Sequence, residues 1–329
     1  LESGQGISDA RARIDELEIH GCTDPEAANF ACTVNVDDGS CQYLGCTDPG
    51  ATNFDPEANT DDGSCQFPCV DDCPDIPGFT LVGNNAQNST EYVHDETGIE
   101  FVLLPGGEFQ MGSPAGEVGR ETDEGPVHTV TLSPFLIAKY EVTQAEYEAV
   151  MTGNTAGLGP TPSGNFGEAL LNPQRPVEQV SFNDLQAPDG FLARTGLSLP
   201  SEAQWEYACR AGQAGPFSGT GVLDDMGWFV ENAGGSHHPV GTKEANQFGL
   251  FDMHGNAFEW CEDVYDVAFY GKPEALLTNP LATSGSVNRV IRGGHFRGNA
   301  TYCRSAFRFF NFPSFRIFFI GFRPARPLP

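Results

Sequence analysis

The sequence lacks any apolar run close to the roughly 20 residues that a membrane-spanning helix requires. It is also poor in basic residues, with 17 Lys and Arg against 45 Asp and Glu and a net charge of -28. Such a charge repels phosphate backbones and anionic membranes, so we expect no nucleic-acid partner and no membrane span. The 39% hydrophobic content still suffices for a buried core in 329 residues, which excludes a disordered chain.

Carboxylates are absent from the C-terminal part of the sequence. No Asp or Glu follows Glu274, whereas eight arginines do, and the first 274 residues hold all 45 acidic side chains. The chain is therefore divided into an acidic scaffold, residues 1–274, and a basic C-terminal segment. Leu1 is not followed by a basic and then apolar signal region, so we expect a mature or trimmed product.

Cysteine is scarce in most of the chain and dense in one short part. Seven of the ten cysteines lie between Cys22 and Cys73, without histidines at zinc-finger spacing. This density predicts disulfides and an oxidising compartment, so we expect an extracellular or cell-surface protein. The sequence leaves the pairing of four cysteines open: Cys32, Cys209, Cys261 and Cys303.

The cysteine-rich part, residues 21–73, contains a 24-residue repeat. Its copies are GCTDPEAANFACTVNVDDGSCQYL (21–44) and GCTDPGATNFDPEANTDDGSCQFP (45–68). They resemble the short Cys-Asp repeats of secreted bacterial proteins, which act as stalks or spacers. Equal spacing favours one disulfide within each copy. The disulfide candidates are Cys22 with Cys41, Cys46 with Cys65, and the following Cys69 and Cys73.

Aspartates cluster at both ends of each repeat. Their hard oxygen ligands suit calcium, which makes a structural calcium site one interpretation. The alternative is that Asp-Pro and Asp-Asp-Gly only form turns. The candidate ligands are Asp24, Asp37, Asp38, Asp48, Asp61 and Asp62.

The regions around the repeats differ in composition. Residues 1–20 form a polar segment with a short helical pattern at 10–19. Residues 74–88 are rich in Pro, Gly and Asn, which predicts a linker, and residues 89–329 are predicted to form a large domain. Frequent Gly and Pro in this domain predict a loop-rich α+β fold.

Three local patterns predict regular elements in the large domain. The segment HTVTL at 128–132 alternates as a strand does. Thr143 with Glu146, and Ser201 with Gln204, fit capping boxes at the starts of two helices.

The large domain also contains a series of longer sequence blocks. They are LPGGEFQMGS (104–113), EVTQAEYEAVM (141–151), PVEQVSFNDLQA (176–187), LSLPSEAQWEYACR (197–210), NQFGLFDMHGNAFEWCEDVYD (246–266), and RVIRGG with GFRPAR near the end. In this order they resemble the formylglycine-generating enzyme (sulfatase-modifying factor) family. The resemblance implies a C-type lectin fold of that type, often containing calcium. Asn256 and Glu259 match a family position where an oxygen-lined metal site occurs, with buried hydrogen-bonding residues as the alternative.

The resemblance also bears on catalysis. Oxidase members of the family bind copper(I) with two cysteines in a pattern like RGG-S-Y-x-C-x-x-x-x-C. Here the stretch is RGGHFRGNATYC, in which Cys303 matches the second cysteine and Gly298 occupies the first position. One thiolate does not reproduce a two-coordinate copper site, so we expect no copper and no enzyme. His237 and His238, in a Gly-rich loop, are expected to be surface residues.

The last block, 290–326, holds nine phenylalanines between Phe296 and Phe322, interleaved with arginines. Neither a period of 2 nor one of 3.6 is maintained, which argues against the alternative of a buried core strand. The stretch resembles the variable region, about 292–323, of a diversity-generating retroelement target protein. The positions that match its constant residues, here called frame positions, are Arg292, Gly293, Gly294, Ala300, Cys303, Arg304, Ser305, Ala306, Arg308, Pro313, Ser314, Arg316, Ile320, Gly321, Phe322 and Arg323.

Fourteen residues occupy the positions that vary in such proteins and are here called variable slots. In these systems template adenines are copied with errors, so AAC or AAT codons become NNC or NNT, which cannot encode Lys, Glu, Gln, Met or Trp. All fourteen residues obey this rule. They are Arg297, Gly298, Asn299, Thr301, Tyr302, Phe307, Phe309, Phe310, Asn311, Phe312, Phe315, Ile317, Phe318 and Phe319.

These observations predict a non-catalytic, extracellular or surface-displayed recognition protein whose variable slots bind a protein or other macromolecular ligand. We expect the frame arginines to hold the segment through main-chain carbonyls and scaffold carboxylates. Phe and Tyr at the slots offer large contact area at low entropic cost. The first alternative is a self-associating subunit of an extracellular fibre or adhesive layer, and the second is a copper-dependent oxidase.

Overall fold

The computed structural model describes residues 73–163 and 172–328, together with short pieces at 20–21, 27–28, 36–37, 40–45 and 59–61. The chain forms two compact units, Leu1–Pro74 and Asp75–Pro329. In the part of the chain so described, no helix has the length and apolar character needed to cross a membrane. The helix predicted at 10–19 lies outside these residues.

In the first unit, each repeat takes part in one parallel pair of two-residue strands. Strand β1 (His20–Gly21) pairs with β2 (Val36–Asp37), and β3 (Leu44–Gly45) pairs with β4 (Thr60–Asp61). Corresponding strands are separated by the repeat period, so the two copies fold alike at these positions.

The disulfide and calcium predictions for the repeats mostly concern other residues. Cys41 is disulfide-bonded, and Cys73 is half-buried. For Asp37 and Asp61 the structure describes the backbone. The pairings and the calcium sites stay predictions, because the following candidates lie outside the described residues: Cys22, Cys32, Cys46, Cys65, Cys69, Asp24, Asp38, Asp48 and Asp62.

The second unit contains a five-stranded antiparallel sheet in the order β15-β10-β7-β6-β5. Its strands are β5 (Phe79–Asn84), β6 (Thr90–His94), β7 (Glu100–Leu104), β10 (Phe135–Ala138) and β15 (Ala325–Pro327). Strand β5 lies inside the predicted linker 74–88, so that prediction is wrong for its second half. A hairpin-like pair, β8 (Gly107–Met111) with β9 (His128–Leu132), confirms the strand predicted at 128–132.

A second sheet carries the C-terminal segment in the order β13-β12-β11-β14. It consists of β11 (Phe258–Val264), β12 (Arg289–Arg292), β13 (Phe309–Asn311) and β14 (Ile320–Gly321). Strands β11, β12 and β13 are antiparallel neighbours, whereas β14 runs parallel to β11. The basic segment is therefore fastened to the scaffold at β12 and β14, and the chain between them forms one face of the unit.

Among residues 73–163 and 172–328, five short α-helices lie between the sheet strands in sequence. They are α1 (Gln144–Met151), α2 (Phe182–Leu185), α3 (Phe191–Thr195), α4 (Glu202–Arg210) and α5 (Leu223–Met226). Both predicted capping boxes are confirmed, because the Thr143 and Ser201 side chains accept the N–H groups of Glu146 and Gln204. Helix α4 is buried along its whole length and packs within the main core around Trp205. The loop-rich α+β prediction is thereby confirmed.

Candidate binding surface

Helix α4 presents two acidic side chains to the frame arginine Arg292. The Arg292 guanidinium donates to Glu202 (3.0 Å), to Glu206 one turn later (2.6 Å), and to the carbonyl of Ser305 (2.7 Å). All three charged side chains are buried. Burial alone would raise the pKa of both carboxyls, but neighbouring arginines outweigh it and hold each pKa below its ordinary value. The two carboxylates therefore stay charged inside the protein.

Arg308 shares one of these carboxylates. Its Nε and Nη2 atoms donate to the two oxygens of Glu202, each at 2.7 Å, in a bidentate arrangement. Its Nη1 atom donates to the main-chain carbonyl of Asp123 (3.0 Å). One helix residue thus fixes two frame positions that are sixteen residues apart in the sequence.

Arg304 binds a different loop of the scaffold. Its Nη1 atom donates to Glu117 (2.7 Å) and to Glu124 (2.8 Å), and its Nε atom donates to the carbonyl of Thr301 (3.1 Å). Burial tends to raise the pKa of Glu124, but its hydrogen bonds with Arg304 and Ser113 hold that pKa below the ordinary value. The start of the segment is therefore tied to the loop after β8.

Two frame arginines hold the end of the segment. Arg316 binds both oxygens of Asp184 at 2.7 and 2.6 Å, and Arg323 binds Glu259 at 2.8 Å and the carbonyl of Ala138 at 3.0 Å. All five frame arginines thus bind a scaffold carboxylate, as predicted, and all but Arg316 also bind main-chain carbonyls.

Exposure separates the variable slots from the frame. Twelve of the fourteen slots are exposed or half-buried, whereas twelve of the sixteen frame positions are buried. Seven slots are exposed: Arg297, Asn299, Tyr302, Phe309, Phe310, Phe312 and Phe315. Five are half-buried: Thr301, Asn311, Ile317, Phe318 and Phe319. The remaining two, Gly298 and Phe307, are buried and support their neighbours from below.

Five aromatic rings form a continuous row on this face. Tyr302 stacks on Phe307 with ring centroids 4.8 Å apart, Phe307 faces Phe309 at 6.2 Å, and Phe309 stacks on Phe310 at 5.5 Å. Phe310 in turn contacts Tyr265 at 4.3 Å. Successive planes differ by only 15° to 31°, so each ring limits the motion of the next.

The half-buried slots Phe318 and Phe319 rest on two buried histidines. The ring of Phe319 stacks on His295 at 4.3 Å, and Nε2 of His237 lies 3.2 Å from the carbonyl oxygen of Phe318. Burial lowers the pKa of both histidines to about 4, so both rings are neutral near pH 7. The expectation of surface histidines is wrong for His237, which the variable segment covers, and His238 is half-buried against Trp228.

Two frame glycines allow the segment to leave β12 at a sharp angle. Gly293 and Gly294 have φ values of +99° and +79°, a region that L side chains rarely adopt. A Cβ atom at Gly294 would lie 2.6 Å from the sulfur of Cys303, and one at Gly293 would lie 3.1 Å from Trp205. The RGG sequence is therefore required by the backbone and by close packing.

The side chains of Asn256 and Glu259, the predicted calcium ligands, are engaged in hydrogen bonds within the protein. The Asn256 amide donates to Glu141 (2.6 Å), and its oxygen accepts a main-chain N–H (3.0 Å). Both oxygens of Glu259 accept hydrogen bonds, from Arg323 and from the Trp205 indole (2.7 Å). Within residues 73–163 and 172–328 and the shorter described pieces, no three His, Cys, Asp or Glu side chains are grouped to hold a metal. These contacts favour the alternative of buried hydrogen-bonding residues, and calcium at these positions stays a prediction.

The thiols of this unit do not fit a two-cysteine copper site. Cys303 is buried, and Gly298 supplies no second sulfur beside it. Burial raises the pKa of the Cys303 thiol far above its ordinary value, so the thiol is protonated near pH 7 in the metal-free protein. Cys209 and Cys261 are also free and buried, and burial raises the pKa of each.

Sequence reasoning missed two contributors to this face. Tyr265 extends the aromatic row although it precedes the variable segment by many residues. Gln179, with φ +61°, donates its N–H to the carbonyl of Ile317 (3.1 Å) and so supports a slot from the scaffold. Its neighbour Glu178 is fully buried, and burial raises the pKa of that carboxyl to about 8. The local sequence signal near Gln179 is the capping box formed by Ser181 and Asp184, which marks the start of helix α2.

Comparison with known proteins identifies the second unit. Residues 87–328 match the sulfatase-modifying factor enzyme 1-like domain. A formylglycine-generating enzyme of Streptomyces coelicolor is 31% identical over 281 residues, covering 68% of this chain and 88% of the enzyme.

Two solved structures share the fold. PvdO of Pseudomonas aeruginosa has 31% identity and a TM-score of 0.62, over 78% of this chain and all of that one. Treponema denticola variable protein 1 has 26% identity and a TM-score of 0.59, over 77% of this chain and all of that one. Both resemblances expected from the sequence, to formylglycine-generating enzymes and to variable proteins, are confirmed. The chain belongs to the family of the sulfatase-modifying factor enzyme 1-like domain.

Proposed function

We propose that this chain is a non-catalytic recognition protein that binds a protein or other macromolecular ligand through its variable slots. The observation that carries the proposal is the separation of exposure: the slots form the surface, while buried arginines hold the frame beneath them. A rigid backbone with exchangeable side chains is how a binding surface tolerates variation. The similarity to Treponema denticola variable protein 1 supports the same role.

An extracellular or cell-surface location completes the proposal. The dense cysteines between Cys22 and Cys73 support it, as does the disulfide at Cys41, because such bonds persist in oxidising compartments. In this interpretation the repeats act as a spacer for the recognition unit.

A copper-dependent oxidase is the second candidate, favoured by the relatives named formylglycine-generating enzymes. Gly298 in place of a cysteine argues against it. We expect no aldehyde product, measured by mass spectrometry, when the protein is incubated with copper and a cysteine-containing sulfatase-type peptide. Turnover would favour the oxidase.

Randomisation of the segment tests the recognition role directly. The fourteen slots are replaced by NNC and NNT codons in the displayed full chain, and a matched library varies Arg292, Arg304 and Arg308 instead. We expect most members of the slot library to resist protease and the selection to yield binders against a panel of folded proteins. The arginine library should lose protease resistance, because its buried carboxylates lose their partners.

Two outcomes would contradict the proposal. One is general unfolding of the slot library, which would show that the slots are core residues. The other is a folded slot library without any binder. A native locus without a reverse transcriptase and without a near-identical template copy would contradict the retroelement origin of the slots.

A further inference from the structure

The aromatic row does not end with the variable segment. Its last ring belongs to Tyr265, which follows β11 and is half-buried, with its centroid 4.3 Å from that of Phe310. The Tyr265 hydroxyl donates to Asp123 (2.7 Å), and the Arg308 guanidinium lies 5.3 Å from its ring centroid. Tyr265 is therefore held in one orientation by residues outside the slots.

Two exposed valines lie beside Tyr265. Val267 is 59% exposed and Val287 is 73% exposed. Main-chain hydrogen bonds place the second of them: Tyr265 donates its N–H to the carbonyl of Asn288 (2.9 Å) and accepts the N–H of Ser286 (3.0 Å). The segment around Val287 then continues directly into β12, whose residue Arg289 is paired with the slot Asn311. Single exposed valines are ordinary, but these two are linked through the main chain to Tyr265, the last ring of the aromatic row.

We infer that Tyr265, Val267 and Val287, here called the constant flank, form part of the ligand-binding surface, and that the ligand is a protein presenting an apolar patch. This inference rests on the proposed function. Diversification at the slots changes the shape and polarity of most of the face, while the constant flank offers every variant the same apolar anchor. Rigid aromatic anchors of this kind supply much of the binding energy in protein interfaces.

The chemistry of the face favours a protein over other ligands. Seven of the fourteen slots are phenylalanines, which neither donate nor accept hydrogen bonds. A glycan would lose the water bound to its hydroxyls without replacement at these rings, which weakens binding. A nucleic acid needs several free cations, whereas Arg316 is already paired with Asp184 and the chain carries a charge of -28.

The slot library supplies the test of the constant flank. Binders are selected against calcium-loaded calmodulin, whose Met-rich apolar groove opens on calcium binding, and calcium-free calmodulin is the matched target. Tyr265→Ser and Val287→Ser are then introduced into several unrelated binders. We expect each change to weaken binding about tenfold in most of them, whereas Val82→Ser, at an exposed position on the edge strand β5 of the other sheet, leaves affinity unchanged.

The possible results distinguish a failure of the proposed function from a failure of the constant flank. Failure to select any binder contradicts the proposed function itself. Binders that tolerate both Tyr265→Ser and Val287→Ser overturn the constant flank alone, and Val287→Ser decides the matter if Tyr265→Ser unfolds the chain. Binding of the native chain to phosphatidylcholine vesicles, lost on replacing Phe309 and Phe310 by Ser, would indicate a lipid surface and overturn the protein ligand.

Discussion

At the scale of single residues, exposure divides the phenylalanines of the C-terminal segment into two kinds. Phe309 and Phe310 are 42% and 37% exposed, whereas the frame residue Phe322 is fully buried. Phe309→Ser with Phe310→Ser should lower the free energy of unfolding less than Phe322→Ser does alone, because both slot rings keep more than a third of their surface in contact with water. Phe322→Ser should cost about 3–5 kcal/mol through cavity formation. Urea denaturation followed by circular dichroism measures both.

A large loss of stability in the double slot variant would show that the aromatic row is part of the core.

The burial of individual slot residues could not be predicted from the sequence. The codon rule places Phe307 and Phe309 in one class, yet the first is buried and the second exposed. Phe307 packs against Tyr302 and lies near Arg304, and the codon rule contains no information about such contacts.

At the scale of elements, Arg304 joins the start of the variable segment to the loop that contains Glu117 and Glu124. Arg304→Met would leave the buried Glu124 carboxylate without its cation, so we expect a loss of about 3–5 kcal/mol in the free energy of unfolding. Adding Glu124→Gln should restore part of that loss. Arg316→Met is the matched comparison: its partner Asp184 is also buried, but the Arg316 side chain is 57% exposed, so water can reach the site and we expect a smaller loss than for Arg304→Met.

Equal losses for Arg304→Met and Arg316→Met would contradict the view that burial makes the frame arginines important for stability.

Helices and strands were predictable from the sequence only where a local signal was strong. The capping boxes at Thr143 and Ser201 gave correct helix starts. Strand β5 was mistaken for linker because Gly83, with φ +132°, makes a register shift within the strand and its sequence ends in Gly-Asn.

At the scale of the whole molecule, the uneven charge of the chain is a division of roles. The arginines at 292, 304, 308, 316 and 323 are paired with carboxylates that precede them by 64 to 187 residues in the sequence. Composition alone showed that the scaffold supplies the carboxylates and that the C-terminal segment supplies arginines. The resemblance to variable regions indicated which of these arginines are frame positions. The identity of each partner required the fold, because such long-range pairs have no sequence spacing that predicts them.

The net charge also bears on self-association, which a fibre subunit requires and a recognition protein does not. A net charge of -28 opposes contact between identical chains, whereas the exposed aromatic row favours it. We expect a single-chain mass by light scattering both at low salt and at 0.5 M salt, where screening shortens the range of repulsion to a few ångströms. Ligand-free assembly that grows with salt and disappears in the Phe309→Ser, Phe310→Ser variant would instead show that the row joins chains to one another, as a fibre or adhesive layer requires.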